Sequence, residues 1–226
     1  DADIYAGLSL GEYGALTAAG VFDVAQCAAL VRQRGRIMDE AFPPGKGGML
    51  SVIGFTAEQV EEALAGYASA SVANHLSGLQ TVVAGEMDDL IALKEKFEQA
   101  GAKMVTLLSV RGPSHSPMLE QASQAFMSML KREEIGVPGR VVYSNALGNP
   151  YPADADISEL LAEQMRSRVR WHDCTEHMIA AGTARFVEVG PGNVLSKMLK
   201  RRVDKDVDVA SVRDRATLEK FLEAVK

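Results

Sequence analysis

Cysteine is scarce in this chain: Cys27 and Cys174 are the only two in 226 residues, and they do not form a C-x-x-C pair. That excludes a disulfide framework and argues against a thiolate zinc site, and it fits a reducing cytoplasm, with both thiols expected in the core. No apolar run approaches the length of a membrane-spanning helix and no signal-peptide pattern appears, so no membrane association is expected. Positive charge is also short. Lys and Arg number 24 against 30 Asp and Glu, a net charge of −6, and the basic residues cluster only in "KMLKRRVDK" at Lys197, Lys200, Arg201 and Arg202. A nucleic-acid surface needs far more clustered cations facing phosphate. There is one tryptophan, Trp171, read as core, and there are four histidines, so candidates for a general base are few.

What is present is apolar and periodic. With 47% hydrophobic residues the chain can bury a sizeable core, and its length suits one large domain or one domain with a smaller insert. Two glycine-rich corners, "PPGKGGML" and "SVRGPSHSPML", bracket an insert. Within it come strand-like "GGMLSVIG", a helix from about Ala57 to Gly66, strand-like "ASVAN" and "LQTVVAG", a helix from about Met87 to Ala100, and strand-like "KMVTLLSV". This β-α-β-β-α-β order predicts a small ferredoxin-like subdomain over 47–110, inserted into an α/β core formed by 1–46 and 111–226. In the core, helices over about Pro117–Lys131, Ile157–Arg168 and Trp171–Ala181 alternate with strand-like "RVVYSN" and "RFVEVG", and a final helix begins near Asn193. Short apolar strands between helices predict a parallel, hydrolase-like sheet covered on both faces.

The stretch "YAGLSLGEYGAL" sets Ser9 between Gly7 and Gly11, after a short apolar run and before a helix over Leu10–Ala19. A serine framed this way can occupy a sharp strand-to-helix turn with its hydroxyl exposed at the sheet edge, the nucleophile elbow. Such a serine needs a base. His172 and His177 fall in a helix and His75 follows a strand, whereas His115 lies in "GPSHSP", where Pro113 and Pro117 restrict the backbone and could fix an imidazole. No acidic residue announces itself as a third member, and a backbone carbonyl can orient the imidazole equally well.

In the helix after Asp23, a suitable N-cap, residues Val24, Cys27, Val31 and Met38 make one apolar stripe. Arg34 falls within it, while Arg32 and Arg36 point away, and Gly35 would leave Arg34 room. A guanidinium facing a core needs an anion, either a carboxylate of a substrate or an internal Asp or Glu.

With Ser9, Arg34 and His115 in this order, the chain resembles the malonyl-CoA:acyl carrier protein transacylases, the acyltransferases of type II fatty acid synthesis. "GLSLGEYGALTAAGVFD" resembles that family's elbow and following helix, "VRQRGRIM" its arginine motif, "NHLSGLQTVVAG" part of its small subdomain, "GPSHSPM" its histidine loop and "EVGPGNVL" its late signature, over nearly the full length. The resemblance implies that Ser9 is acylated from malonyl-CoA, that His115 is its base, and that Arg34 holds the free malonyl carboxylate. It further implies that a carbonyl of Gln164 accepts a hydrogen bond from the histidine, and that the backbone N–H of Leu10 serves as an oxyanion donor. Acyl carrier protein would be the partner, with no cofactor and no metal. Two departures stand out: Leu8 replaces the family's histidine before the serine, and the family's amino-terminal strand and Gly-Gln-Gly loop are expected to be absent from this chain, or supplied by a second one. A serine thioesterase or esterase sharing the elbow, and a non-catalytic carrier-protein-binding fragment, are the competing expectations.

Overall fold

A computed structural model describes residues 2–202 and 207–224. The chain forms two compact units, one within residues 1–174 and one within 175–226.

The first unit opens with β1 (Ile4–Tyr5), which turns through Ser9 into α1 (Leu10–Ala18). Helix α1 stops where Gly20 takes φ 83°, a conformation glycine adopts without penalty. Asp23 then caps α2 (Val24–Glu40), its Oδ1 accepting from Gln26 N–H at 2.7 Å. Next come β2 (Gly47–Ile53), α3 (Ala57–Ala63), β3 (Ser71–Ser77), β4 (Gln80–Glu86), α4 (Met87–Gln99) and β5 (Met104–Leu107). These four strands form one antiparallel sheet in the order β3-β4-β2-β5. One face packs on α3 and α4 through Leu50, Val52, Val60, Val83, Leu90, Leu93 and Phe97. A 3-10 turn at Pro117–Leu119 leads into α5 (Glu120–Leu130), followed by β6 (Val141–Val142), α6 (Ile157–Arg166) and the start of α7 (Trp171–Ala180), which continues into the second unit.

The core beside α1 is built from Tyr13, Leu16, Phe22, Leu30, Phe126, Leu130, Leu161 and Met165, with Tyr13 and Phe126 meeting edge to face. Each such side chain contributes about 1.5–3 kcal/mol on burial, which fixes α1 against α2, α5 and α6. The second unit contains β7 (Arg185–Val189), α8 (Val194–Lys200), β8 (Asp208–Val212) and α9 (Arg215–Ala224), with β7 and β8 paired in parallel.

Several expectations are corrected. The helix near Asn193 is not the last element, because β8 and α9 follow it; alternating Asp and Val around Val209 hides a strand with only one buried apolar side chain. "RVVYSN" is a strand for two residues only: Tyr143 N–H still bonds Tyr5 carbonyl at 3.0 Å, but Ser144 N–H turns to Asn149 carbonyl at 2.9 Å. Helix α6 ends at Arg166 rather than Arg168, since Val169 leaves it to bridge Ala73 and His75 of β3. Among the described residues β1 has β6 as its one strand neighbour, and Ile4 and Tyr5 are half-buried. On α2, Val24 is 76% exposed and Leu30 takes its place in the core.

Candidate active site

Because β1 and β6 run parallel, pairing Ile4 with Val141 and Tyr5 with Val142, both chains leave the sheet at the same edge. The residues that follow, Gly7-Leu8-Ser9 and Tyr143-Ser144-Asn145, are therefore neighbours at the carboxyl ends of the strands, where α/β folds place their sites. Ser9 has φ 51° and ψ −102°, a conformation that costs a non-glycine residue about 1–3 kcal/mol and persists only when its surroundings hold it. Asn145 does the holding. Its Oδ1 accepts from Ser9 N–H at 2.6 Å and its Nδ2 donates to Gly7 carbonyl at 2.8 Å, bracing the turn on both sides of Leu8. Gly7 is obligatory, because a Cβ there would lie 2.1 Å from the Gly11 carbonyl carbon. Gly11 and Gly35, by contrast, have open space where a Cβ would stand, so neither is needed for clearance. As the first residue of α1, Leu10 has a backbone N–H with no intrahelical acceptor.

His115 reaches Ser9 with Nε2 2.7 Å from Oγ. Among the described residues, Ser9 and His115 are the two non-glycine residues with positive φ, His115 at 61°. Its backbone N–H bonds Met165 carbonyl at 3.0 Å, and its Nδ1 lies 2.6 Å from Gln164 carbonyl. A carbonyl can only accept, so Nδ1 carries the proton and Nε2 presents its lone pair to the serine hydroxyl. Burial, reinforced by the Arg34 charge and opposed by the Gln164 carbonyl, brings the imidazole from 6.5 down to about 4. It is neutral at physiological pH.

Arg34 is the buried arginine of α2, while Arg32 and Arg36 are exposed. Its Nη2 donates to Ser9 Oγ at 3.1 Å and to Gln164 Oε1 at 3.0 Å, and its guanidinium lies 5.5 Å from the centre of the Tyr13 ring. The alternative of an internal ion pair is not met: among the described residues no carboxylate contacts Arg34 directly, and its buried Nε has no hydrogen-bond partner. A buried donor without a partner costs about 1–3 kcal/mol, a cost that an incoming acceptor would remove.

Gln164, fully buried, thus serves twice, its backbone carbonyl on His115 and its side-chain carbonyl on Arg34. Its Nε2 donates to Glu12 Oε2 at 2.5 Å and to Ser9 carbonyl at 3.1 Å. Glu12, Asn145 and Tyr151 are the site residues that sequence reasoning missed. One signal was available for Glu12, which lies three residues after Ser9 on the buried face of α1. Two of the remaining histidines meet elsewhere: His75 packs against His172 with ring centres 4.4 Å apart and planes tilted by 51°, and it lies 3.8 Å from Asp173. In the second unit Arg202 pairs with Glu176, while Lys197 and Lys200 join Arg185, Arg213 and Lys220 around a cleft of about 510 Å3.

A strained serine on a strand-to-helix turn, hydrogen-bonded to a neutral histidine and beside a buried guanidinium, has the geometry of a nucleophile elbow in an α/β protein. The acyl transferase domain matches residues 1–221, and the chain belongs to that family. It is similar to the malonyl CoA-acyl carrier protein transacylase of Bacillus subtilis, 33% identical over 228 residues and covering 99% of this chain and 72% of the relative. It is 37% identical over 198 residues to the polyketide biosynthesis protein ThaF of Burkholderia thailandensis, covering 87% of this chain but 17% of that much longer protein. The solved malonyl CoA-acyl carrier protein transacylase of Clostridium perfringens superposes with a TM-score of 0.95 at 35% identity, over 100% of this chain and 72% of its own. A type II PKS acyl-carrier protein in complex with its malonyl-transacylase gives 0.90 at 33% identity, over 99% of this chain and 73% of the solved one.

Proposed function

We propose that the protein transfers a malonyl group from malonyl-CoA to the phosphopantetheine thiol of an acyl carrier protein, through a malonyl ester on Ser9, in the cytoplasm. The observation that carries this reading is the buried Arg34 guanidinium, 3.1 Å from Ser9 Oγ with its Nε unpartnered. That is a receptor for a carboxylate at the far end of a short acyl group, which malonyl has and acetyl lacks. The relatives named above, malonyl transacylases of carrier proteins, support the same substrate and partner.

Ser9 Oγ attacks the thioester carbonyl carbon as its proton passes to His115 Nε2, and the developing imidazolium is stabilised by the Gln164 carbonyl on Nδ1. The tetrahedral oxyanion is held by backbone donors, among which the free N–H of Leu10 is our candidate. The C–S bond then breaks, and the departing CoA sulfur takes the proton from His115. In the second half the carrier thiol gives its proton to His115 and attacks the serine ester, and Ser9 Oγ leaves with that proton. No cofactor or metal has a step in this scheme. We read 47–110 as a ferredoxin-like subdomain of the same domain. A hydrolase reading is less well supported, since His115 Nδ1 meets a carbonyl where serine esterases usually carry a carboxylate.

Intact-mass measurement after mixing with malonyl-CoA tests the proposal: a malonyl adduct forms on the wild type and not on Ser9→Ala. Rapid release of free malonate would indicate a hydrolase, and no adduct at all would indicate a binding module.

A further inference from the structure

Glu12 is a fully buried carboxyl that no step of this reaction uses. Both of its oxygens accept from Asn145 N–H at 3.2 Å, Oε2 accepts from Gln164 Nε2 at 2.5 Å, and Oε1 accepts from the Tyr151 hydroxyl. Two of these partners touch the reacting groups: Gln164 holds Arg34 and His115, and Asn145 holds the Ser9 turn. We propose that Glu12 is a positioning residue whose carboxylate orients Gln164 and Asn145 together and so aligns Arg34, His115 and Ser9 for acylation.

The orientation of one amide carries the argument. With Nε2 toward Glu12 and Oε1 toward Arg34, Gln164 presents a donor to the anion and an acceptor to the cation. Rotating the amide by half a turn would set oxygen against carboxylate and NH2 against guanidinium, so the charged carboxylate locks it. A protonated Glu12 removes the lock, because its O–H can donate to the rotated Oε1 and Arg34 then loses its acceptor.

The titratable and charged groups facing Glu12 are Tyr13 on its own helix, Arg34 on α2, Tyr151 after β6 and Cys174 on α7. Burial pushes both tyrosines further up and the thiol to about 12, so all three stay neutral, while Arg34 stays charged. Burial also raises Glu12 itself from 4.5 to about 7, against the pull of Tyr151, Gln164, Asn145 and Arg34. Among these groups Glu12 is the one that changes charge near neutrality, and His115 does so only near 4. The alignment is therefore lost as pH falls through about 7.

Glu12→Gln keeps the size and cannot titrate. This inference rests on the acyl-transfer reading, so its test has two readouts. The first is the rate of malonyl-serine formation against pH: wild type should fall through about pH 7, whereas Glu12→Gln should be flat there and roughly 10- to 100-fold slower at high pH, the effect of one lost charge-assisted hydrogen bond. The second is the 15N imidazole spectrum of His115, identified by its loss in His115→Asn, which should show a step at that same pH in wild type and none in Glu12→Gln. Tyr151→Phe removes a bond that lowers the Glu12 value and should move both midpoints upward. A step that persists in Glu12→Gln, wild-type acylation in that variant, or an unmoved midpoint in Tyr151→Phe would overturn the proposal. If wild type forms no malonyl adduct, it is the transferase reading that fails, and the His115 step alone decides the role of Glu12.

Discussion

Arg34 Nη2 stands 3.1 Å from Ser9 Oγ, so a permanent positive charge lies against the same hydroxyl that His115 Nε2 meets at 2.7 Å. The two effects balance in the proton transfer. The cation favours the serine in its anionic form and disfavours the imidazolium, which keeps the resting histidine neutral and free to accept.

His115→Ala should slow malonyl-serine formation by roughly 10²–10⁴, the usual share of a positioned base, while His172→Ala and His177→Ala leave it intact. Single-turnover acylation measured by quenched-flow mass spectrometry separates these. Retention of full rate in His115→Ala would assign the base elsewhere.

Arg34→Ala should cut malonyl transfer by roughly 10–10² more than acetyl transfer, because only malonyl presents a carboxylate for charged hydrogen bonds. Exposed Arg32 and Arg36 supply the control substitutions. Removing the neighbouring cation should also raise the His115 value, which the imidazole 15N shifts report directly. Equal losses for both acyl groups would mean that Arg34 is structural.

Glu12 and His115 should make opposing contributions to stability. Glu12 is raised from 4.5 to about 7, so its contribution is present below 4.5 and lost as pH rises to 7. His115 is lowered from 6.5 to about 4, so its contribution is present above 6.5 and lost as pH falls to 4. Each shift corresponds to roughly 3 kcal/mol, and in the wild type they largely cancel. Urea unfolding across pH 4–7 should show Glu12→Gln gaining stability with rising pH relative to wild type, and His115→Asn losing it. Parallel profiles for all three proteins would sink the assignment of both shifts.

Lys197, Lys200 and Arg201 are exposed, on a chain whose net charge of −6 would otherwise repel an acidic carrier protein. Lys200→Glu with Arg201→Glu should raise the KM for carrier protein at low salt and leave the KM for malonyl-CoA unchanged. The difference should fade near physiological ionic strength, where screening acts within about 8–10 Å. Carrier-protein kinetics that do not respond at low salt would make the cluster a solvated surface and nothing more.

Ser9, His115 and Arg34 could each be read from the sequence because each carries a local signature: a glycine-framed serine, a histidine between prolines, a charge on an apolar helix stripe. The β-α-β-β-α-β order was legible for the same reason, since alternation and helical periodicity act over a few residues. Asn145 has no such signature. It belongs to the site because β6 lies parallel to β1, a pairing that brings Asn145 to Ser9 from 136 residues away. Glu12 sits in plain view near the serine, yet its burial depends on α5, α6 and the chain after β6 closing over α1. Those contacts remove water from the carboxyl, raise its affinity for a proton, and turn an ordinary first-turn glutamate into the anchor of Gln164. Local sequence determines which groups can do chemistry, and only packing across the chain decides which of them are dry, paired and facing one another.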